Sequence, residues 1–312
     1  MCKPTAIPKE KADGAAGVKI AAGTAACAAL SKLLPAASAF ETKPAFGECL
    51  RAASVFFVML WCYELVARTL LGMLRNAHPV LARSRDRIVL ARHSMDTWAL
   101  GYLAVQGWMM WDAMGAANIP ATPHGRLYAY LPAFQWCAIV MLGYQAKNLM
   151  DAVIHNDGPE FIVHHIITSS VALCALHPYA HVPGIFFFGI SETSTTLLCV
   201  VANFDDVHGV PSLKLHFPIS KLVLGALFAV SFVGLRTGVW PYLAYHFVQD
   251  SLAVLADGTA HSVAVVWGFV GCLGVLTCLQ VAWLGQMIIT IHREFKSTMA
   301  DIRGAKTACK SS

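Results

Sequence analysis

Two adjacent histidines open an apolar stretch and are the first candidates for chemistry in this sequence. The stretch begins at Glu160 and runs through His164 and His165 to Thr168. Neighbouring side chains on a helix point about 100° apart, so at least one imidazole faces the interior of a helical bundle. A neutral imidazole there can act as a general base or as a nucleophile toward an activated acyl donor. The alternative is a pair of interfacial histidines that only hydrogen-bond to neighbouring groups.

A carboxylate followed by hydroxyl groups interrupts a second apolar stretch, in the sequence GISETSTT at 189–196. A carboxylate in the middle of a membrane span must be protonated or paired, and we expect Glu192 to pair with a histidine of the preceding helix. The two groups would then orient and charge each other, as in other acid–base sites. Counting depth places Glu192 deeper than the histidines, so contact requires shifted span boundaries or a side chain that reaches across a turn. The alternative is a structural polar contact between helices.

Further polar pairs lie at helical spacing. Asp151 and His155 are four residues apart, share a helix face and could extend a polar funnel for a lipid headgroup at the same edge as His164. A solvated helix end is the alternative. Glu64 and Arg68 have the same spacing, and we expect them to pair with each other as a structural contact.

Thirteen histidines and ten cysteines raise the question of a metal centre. Di-iron membrane enzymes need several HxxxH and HxxHH clusters to fill two metal sites. Here only His177 and His181 give HxxxH, and Pro178 breaks the helix that would align their rings. The sequence contains no CxxC pair, and most cysteines lie in apolar runs. We therefore expect no metal site.

The elements that must position these residues are membrane helices. Of the 312 residues, 57% are hydrophobic and 13% charged, whereas a soluble domain carries about 25% charged residues. With a mean hydropathy of +0.57, a monomeric soluble chain could not bury so much apolar surface. The composition therefore indicates a multi-pass membrane protein. It excludes a secreted disulfide scaffold, a disordered regulator and a soluble nucleic-acid binder. The net charge of +5 does not indicate nucleic-acid binding either, because the basic residues lie in short juxtamembrane blocks.

The apolar stretches predict an all-α polytopic bundle of about seven transmembrane helices around a central lipid-accessible cavity. A span needs about 20 apolar residues. Such stretches lie at 50–74, 93–117, 127–150, 161–178, 182–204, 217–236 and 262–291. The segment from Trp240 to Leu255 is interrupted by His246, Gln249 and Asp250. We expect it to be re-entrant or interfacial, with an eighth span as the alternative.

Three regions follow from this pattern. Residues 1–47 form a Lys/Ala-rich tail, either free or inserted as a surface helix or an extra span; residues 48–292 form the transmembrane domain; and residues 293–312 form a basic tail. Seven spans place both large basic clusters on one side, which predicts a cytosolic C-terminus and leaves the N-terminal tail outside. The clusters are Arg75, Arg83, Arg85, Arg87 and Arg92, and then Arg293, Lys296, Arg303, Lys306 and Lys310.

The order of these motifs resembles the TLC-domain (TRAM/Lag/CLN-type) family of multi-pass lipid proteins, whose best-known members are the ceramide synthases. The resemblance rests on 148–168, 191–195, 232–236 and 279–283. In the acyltransferase members a histidine pair is essential and a six-helix bundle presents an acyl chain to it. The resemblance implies that His164, His165 and Glu192 are the catalytic candidates. The candidates for substrate binding are Asp151, His155, Thr168, Ser194 and Arg236.

One departure from the family pattern favours the branch that does not synthesise ceramide. Ceramide synthases carry a helix reading HD…D after the histidine pair, whereas this chain supplies only Glu192. The other branch is linked to phospholipid composition, lipid sensing and trafficking. We expect a protein of the endoplasmic reticulum or a related endomembrane that binds membrane lipids, with no cofactor and no nucleic acid. It is either an acyltransferase with acyl-CoA as co-substrate or a non-enzymatic lipid sensor or cargo factor, and a homo-oligomer is compatible with both.

Overall fold

The computed structural model describes residues 13–34, 41–116 and 119–311, and the long elements in these ranges are all helices. This confirms the predicted all-α fold. Residues 1–12 and 35–40 of the expected N-terminal tail lie outside the described residues. The helices are α1 Asp13–Ser31, α2 Phe46–Met73, α3 Ser84–Ala113, α4 Pro123–Tyr128, α5 Pro132–His155, α6 Pro159–Ala175, α7 His181–Ala202, α8 Pro218–Ala256 and α9 Val263–Ser311.

Four helices in the described part of the chain are long and apolar enough to cross a membrane by length and composition. They are α2, α7, α8 and the Val263–Arg293 part of α9. Helices α3 and α5 have 30 and 24 residues but carry buried charged side chains, and α6 has 17 residues. The protein is therefore a membrane protein, while the predicted count of seven spans is not confirmed.

The segment from Trp240 to Leu255 is not a separate re-entrant piece, which corrects one sequence-based expectation, whereas its interfacial position stays a prediction. It continues the preceding span as one helix, α8, of 39 residues. At 1.5 Å per residue α8 is about 58 Å long, about twice the hydrocarbon thickness of a bilayer. Asp250 near its end accepts two hydrogen bonds from Arg126 of α4, at 2.7 and 2.5 Å. The carboxylate of Asp250 is therefore paired within the protein.

Proline and a left-handed residue set the helix boundaries near the candidate site. Helices α5, α6 and α8 begin at Pro132, Pro159 and Pro218. Proline is favoured at this position because the first N–H groups of a helix have no acceptor within the helix. Helix α5 ends at Asn156, which has a φ of 54° and reverses the chain within two residues of α6. The short turn makes α5 and α6 antiparallel neighbours, so the histidines of α6 lie beside the polar end of α5.

The connections α2–α3, α5–α6 and α7–α8 meet at one end of the bundle, called here the basic end. The guanidinium of Arg85 donates to the carbonyl of Val207 at 2.6 Å, and that of Arg92 donates to Asp157 at 2.6 Å. Two arginines of the first basic cluster therefore connect α3 to the α7–α8 and α5–α6 connections by hydrogen bonds. His164 lies about one and a half turns into α6 from this end.

Helices α3 and α7 cross at a pair of glycines. A Cβ on Gly107 would lie 2.5 Å from the backbone nitrogen of Ile190 and 2.6 Å from the Cα of Gly189. Larger side chains at this crossing would push the two helices apart. Small residues allow such close approach between helices in membrane proteins generally. The close approach fixes α7 against α3 just before Glu192.

The regions flanking the bundle are helical where they are described. Helix α1 packs along α2, and Gly23 allows Val66 to approach its backbone. Helix α9 continues past the apolar span to Ser311, so the basic C-terminal region extends that helix.

Candidate functional site

A narrow apolar cavity lies between α6, α7, α8 and α9. Its volume is about 60 Å³, so it is a narrow crevice between the helices. This volume is below the range of about 300–1,000 Å³ for small-molecule sites, so the lining side chains must move apart to admit an acyl chain. The lining side chains are Phe134 of α5, His164, Thr168, Val171 and Ala175 of α6, Ala180, Pro183, Gly184, Phe187, Phe188 and Glu192 in and before α7, Arg236, Trp240 and Phe247 of α8, and Phe269, Leu273 and Leu276 of α9.

The cavity has one polar end and one aromatic end. Along α6 it extends from His164 to Ala175, eleven residues or about 16 Å at 1.5 Å per residue. The polar groups lie toward the His164 end, and the rings of Phe134, Phe247 and Phe269 line the other end. A long, narrow shape with this polarity matches a single-chain amphiphile better than a compact polar metabolite.

Glu192 pairs with Arg236, not with a histidine. Arg236 Nη2 lies 3.3 Å from Glu192 Oε1 and donates to Thr195 Oγ1 at 2.7 Å, while its Nε donates to Ser194 Oγ at 3.2 Å. Both side chains are about nine-tenths buried. The guanidinium also lies 5.4 Å from the ring centre of Trp240. The expected Glu192–histidine pair is therefore replaced by an ion pair whose hydroxyl partners include the predicted site residue Ser194.

Both members of this ion pair lie in or beside a π-helical segment. One segment, Ile185–Ile190, comes directly before Glu192, and the other, Phe232–Val239, contains Arg236. A π-bulge adds one residue to a helical turn, which rotates the following side chains by about 100°. The two bulges thus bring a carboxylate and a guanidinium to the same place, which an uninterrupted α-helical count does not anticipate.

The two histidines have different surroundings. The Nδ1 of His165 lies 2.6 Å from Gln145 Oε1, so this ring nitrogen is engaged within the protein. His164 lines the cavity, and its ring packs edge-on against Trp283 at 5.3 Å. Its buried Nδ1 has no hydrogen-bond partner among the described residues. His164 is therefore the imidazole that a ligand in the cavity would meet.

Asp151 and His155 do not line the cavity. Asp151 is buried between α5 and α3, where it accepts from Lys147 and lies 3.7 Å from Arg92 Nε. His155 is exposed. The predicted polar funnel is thus not assembled by these two residues. Thr168 does line the cavity, although its hydroxyl donates to the backbone carbonyl of His164.

Asp151 instead belongs to a chain of alternating charges between α2, α3 and α5. Lys147 is fully buried and donates to Glu64 at 2.5 Å as well as to Asp151. Glu64 in turn binds Arg68, which confirms the expected pair. The sequence contained a signal for this network, since Lys147 is a lone ammonium inside an apolar stretch four residues before Asp151. Its contact with Glu64, 83 residues away, had no local signal.

One member of the HxxxH pair, His181, is held by structural hydrogen bonds. His181 accepts from the backbone N–H of Leu131 at 3.1 Å through Nδ1, and its Nε2 lies 3.0 Å from the carbonyl of Ala175. Both ring nitrogens are therefore in use within the protein. No group of three or more metal-ligating side chains is assembled within the ranges that the structure describes.

A family model for the TLC domain matches residues 85–289. The matched region contains every residue that lines the cavity, from Phe134 to Leu276. No curated protein and no solved structure matches the chain.

Proposed function

Because the chain belongs to the TLC-domain family, we propose that it binds a long acyl chain in the cavity between α6, α7, α8 and α9. The site of action is the endoplasmic reticulum or a related endomembrane, with the C-terminus in the cytosol. The observation that carries the proposal is the polarity of the cavity: apolar walls along about 16 Å of α6, with His164, Glu192 and Arg236 at one end. The alkyl chain lies along the walls and the polar head at the histidine end.

The polar contacts of the cavity support lipid binding without turnover better than they support catalysis. Glu192 is engaged by Arg236, so it does not orient an imidazole as the carboxylate of a catalytic dyad does. The protein then acts as a lipid sensor or a cargo factor whose state depends on whether the cavity is filled. Oligomer formation is compatible with this role.

The test of binding compares two neighbouring positions of α6. Val171 lines the cavity, whereas Ser170 is exposed on the outer face of the helix. In the purified full-length protein in nanodiscs, Val171→Phe fills the cavity, and we expect it to weaken binding of a photo-crosslinking fatty-acyl probe about tenfold or more. Ser170→Phe adds the same ring outside and leaves binding unchanged. Equal binding by both variants and the parent protein would exclude this cavity as the site.

Acyl transfer is the second candidate function, and the exposure of His164 to the cavity favours it. His164 would remove the proton of an acceptor hydroxyl or amine as the acceptor oxygen or nitrogen attacks the carbonyl carbon of acyl-CoA. The C–S bond then breaks, and the imidazolium returns the proton to the departing thiolate. His165, held through Nδ1 by Gln145, would position the neighbouring ring.

Labelled acyl-CoA and mass spectrometry of the lipid products separate the two candidates. Transfer predicts a labelled lipid product that His164→Ala abolishes and His155→Ala, an exposed histidine outside the cavity, preserves. Binding without transfer predicts no labelled product in any variant, with retained probe binding in the parent protein. Product formation that persists in His164→Ala would refute the assignment of the base.

A further inference from the structure

A groove on the lipid-facing side of α2, called here the α2 groove, is used by none of the roles above. Its volume is about 300 Å³, which is larger than that of the cavity that His164 lines and lies at the lower end of the range for small-molecule sites. Val58 and Leu65 in its wall are 42% and 48% exposed, so the groove opens toward the membrane. The lining side chains are Val58, Trp61, Cys62, Glu64, Leu65 and Arg68, all from α2.

The α2 groove has a polar end and an apolar end. Val58 and Arg68 are ten residues apart, about 15 Å along the helix, and Arg68 is the one nearer the basic end. Helix α2 has 28 residues and is about 42 Å long, which matches a bilayer together with its headgroup regions. Arg68 comes five residues, or about 8 Å, before the end of α2. It therefore lies close to the border between headgroups and hydrocarbon, while Val58 lies toward the middle of the bilayer.

The chain of buried charges described above ends at this groove in a cation. Glu64 shares its carboxylate between Arg68 and Lys147, and Lys147 in turn binds Asp151. The side chain of Lys147 is fully buried, whereas that of Arg68 is 34% exposed, so Arg68 is the cation that faces lipid. Because one carboxylate serves two cations, Glu64 neutralises Arg68 only in part.

The contacts of Arg68 leave its guanidinium in need of an anion from the lipid side. An arginine at the edge of a span usually extends its side chain toward the headgroups and water. Arg68 is held back, because its Nη2 is bound to Glu64, one turn nearer the bilayer centre. Its Nε has no hydrogen-bond partner among the described residues. The anion that a membrane supplies near this depth is a lipid phosphate, which forms strong charge-assisted hydrogen bonds with a guanidinium.

We propose that the α2 groove binds a glycerophospholipid of the surrounding membrane, with its phosphate on Arg68 and an acyl chain along Leu65 and Val58. The ring of Trp61 in the groove lies 4.9 Å from the Nζ of Lys147, so the buried charges hold this wall as well as the guanidinium. The site faces the membrane from α2, which contributes no residue to the cavity between α6, α7, α8 and α9. It is therefore independent of the proposed function.

The test uses two lipids that differ only in the phosphate, dioleoyl phosphatidic acid and dioleoylglycerol. Each is added to the full-length protein in dodecyl maltoside micelles, and native mass spectrometry measures the bound lipid. We expect the parent protein to bind phosphatidic acid about tenfold more tightly than the diacylglycerol, as one charge-assisted hydrogen bond provides. Arg68→Leu should lose this preference. Arg51→Leu removes an exposed arginine near the other end of the same helix and should keep it.

A second pair of variants tests the groove without changing the ion pair. Leu65→Trp fills the groove and should weaken the binding of phosphatidic acid about tenfold or more. Leu70→Trp adds the same ring at an exposed position of α2 outside the groove and should leave binding unchanged. This pair decides the proposal even if Arg68→Leu does not fold.

Several outcomes would overturn the proposal. They are a parent protein without preference for phosphatidic acid, a preference that persists in Arg68→Leu, and equal binding by Leu65→Trp and Leu70→Trp. Glycerol 3-phosphate has the phosphate without acyl chains, and its displacement of the lipid at equal concentration would assign the site to a soluble phosphate instead. Val171→Phe, which fills the cavity of the proposed function, should keep the preference. Its loss in that variant would place the lipid in the cavity and refute the α2 groove as the site.

Discussion

The buried ion pair between Glu192 and Arg236 allows a quantitative test of the site. The two side chains are 10% and 7% exposed and 3.3 Å apart. Glu192→Leu leaves the Arg236 guanidinium, which cannot lose its proton, with only hydroxyl groups as hydrogen-bond partners. We expect this substitution to lower the free energy of unfolding by about 3–5 kcal/mol. Arg236→Leu costs less, about 1–3 kcal/mol, because an isolated carboxylate can take up a proton and become neutral.

The double variant Glu192→Leu/Arg236→Leu removes both charges and should recover about 2 kcal/mol or more of the summed losses. The assay is reversible unfolding in mixed detergent micelles, followed by circular dichroism. Glu160→Leu, at the partly exposed start of α6, is the control, with an expected change under about 1 kcal/mol. Additive losses in the double variant, or a larger loss in Arg236→Leu than in Glu192→Leu, would refute this account of the pair.

Three further predictions concern the scaffold around the site. Lys147→Met leaves two buried carboxylates without their shared ammonium and should cost about 3–5 kcal/mol in the same unfolding assay; a loss below about 1 kcal/mol would show that the network is dispensable. Gly107→Ala forces α3 away from α7 and should lower the free energy of unfolding by about 1–3 kcal/mol. In the control Gly225→Ala the added Cβ meets nothing within 4 Å, so this substitution should raise the free energy of unfolding by up to about 1 kcal/mol. Equal effects of the two substitutions would contradict the close helix crossing. Burial raises the pKa of Asp205 in the α7–α8 connection, but backbone N–H groups of its own loop outweigh burial and hold the pKa below its usual range. Its contribution to stability is therefore complete above the unfolded pKa of about 3.9 and declines as the pH falls below about 4, and Asp205→Asn should flatten this decline in unfolding measured from pH 3 to pH 6.

Two conformational features explain why the site pairs were harder to predict than the fold. A helical count from the sequence assumes 3.6 residues per turn, and π-segments in α7 and α8 break that count next to Glu192 and Arg236. The polar residues of the segment 240–255 were also expected to separate it from the span 217–236, yet Asp250 pairs with Arg126 and one helix runs through both. Neither the π-helical segments nor the partner of Asp250 can be read from the local sequence pattern.

The sequence by itself determined that the chain is a helical membrane protein, that it resembles the TLC-domain family, and that His164, Glu192 and Arg236 stand out as polar groups in apolar helices. These properties are local, because burial in lipid acts on each segment through its own composition. Only the tertiary structure decided which charges meet: Glu192 with Arg236, and Lys147 between Glu64 and Asp151. Partner choice depends on the rotation and depth of separate helices relative to one another, and these are set by packing between residues far apart in the chain.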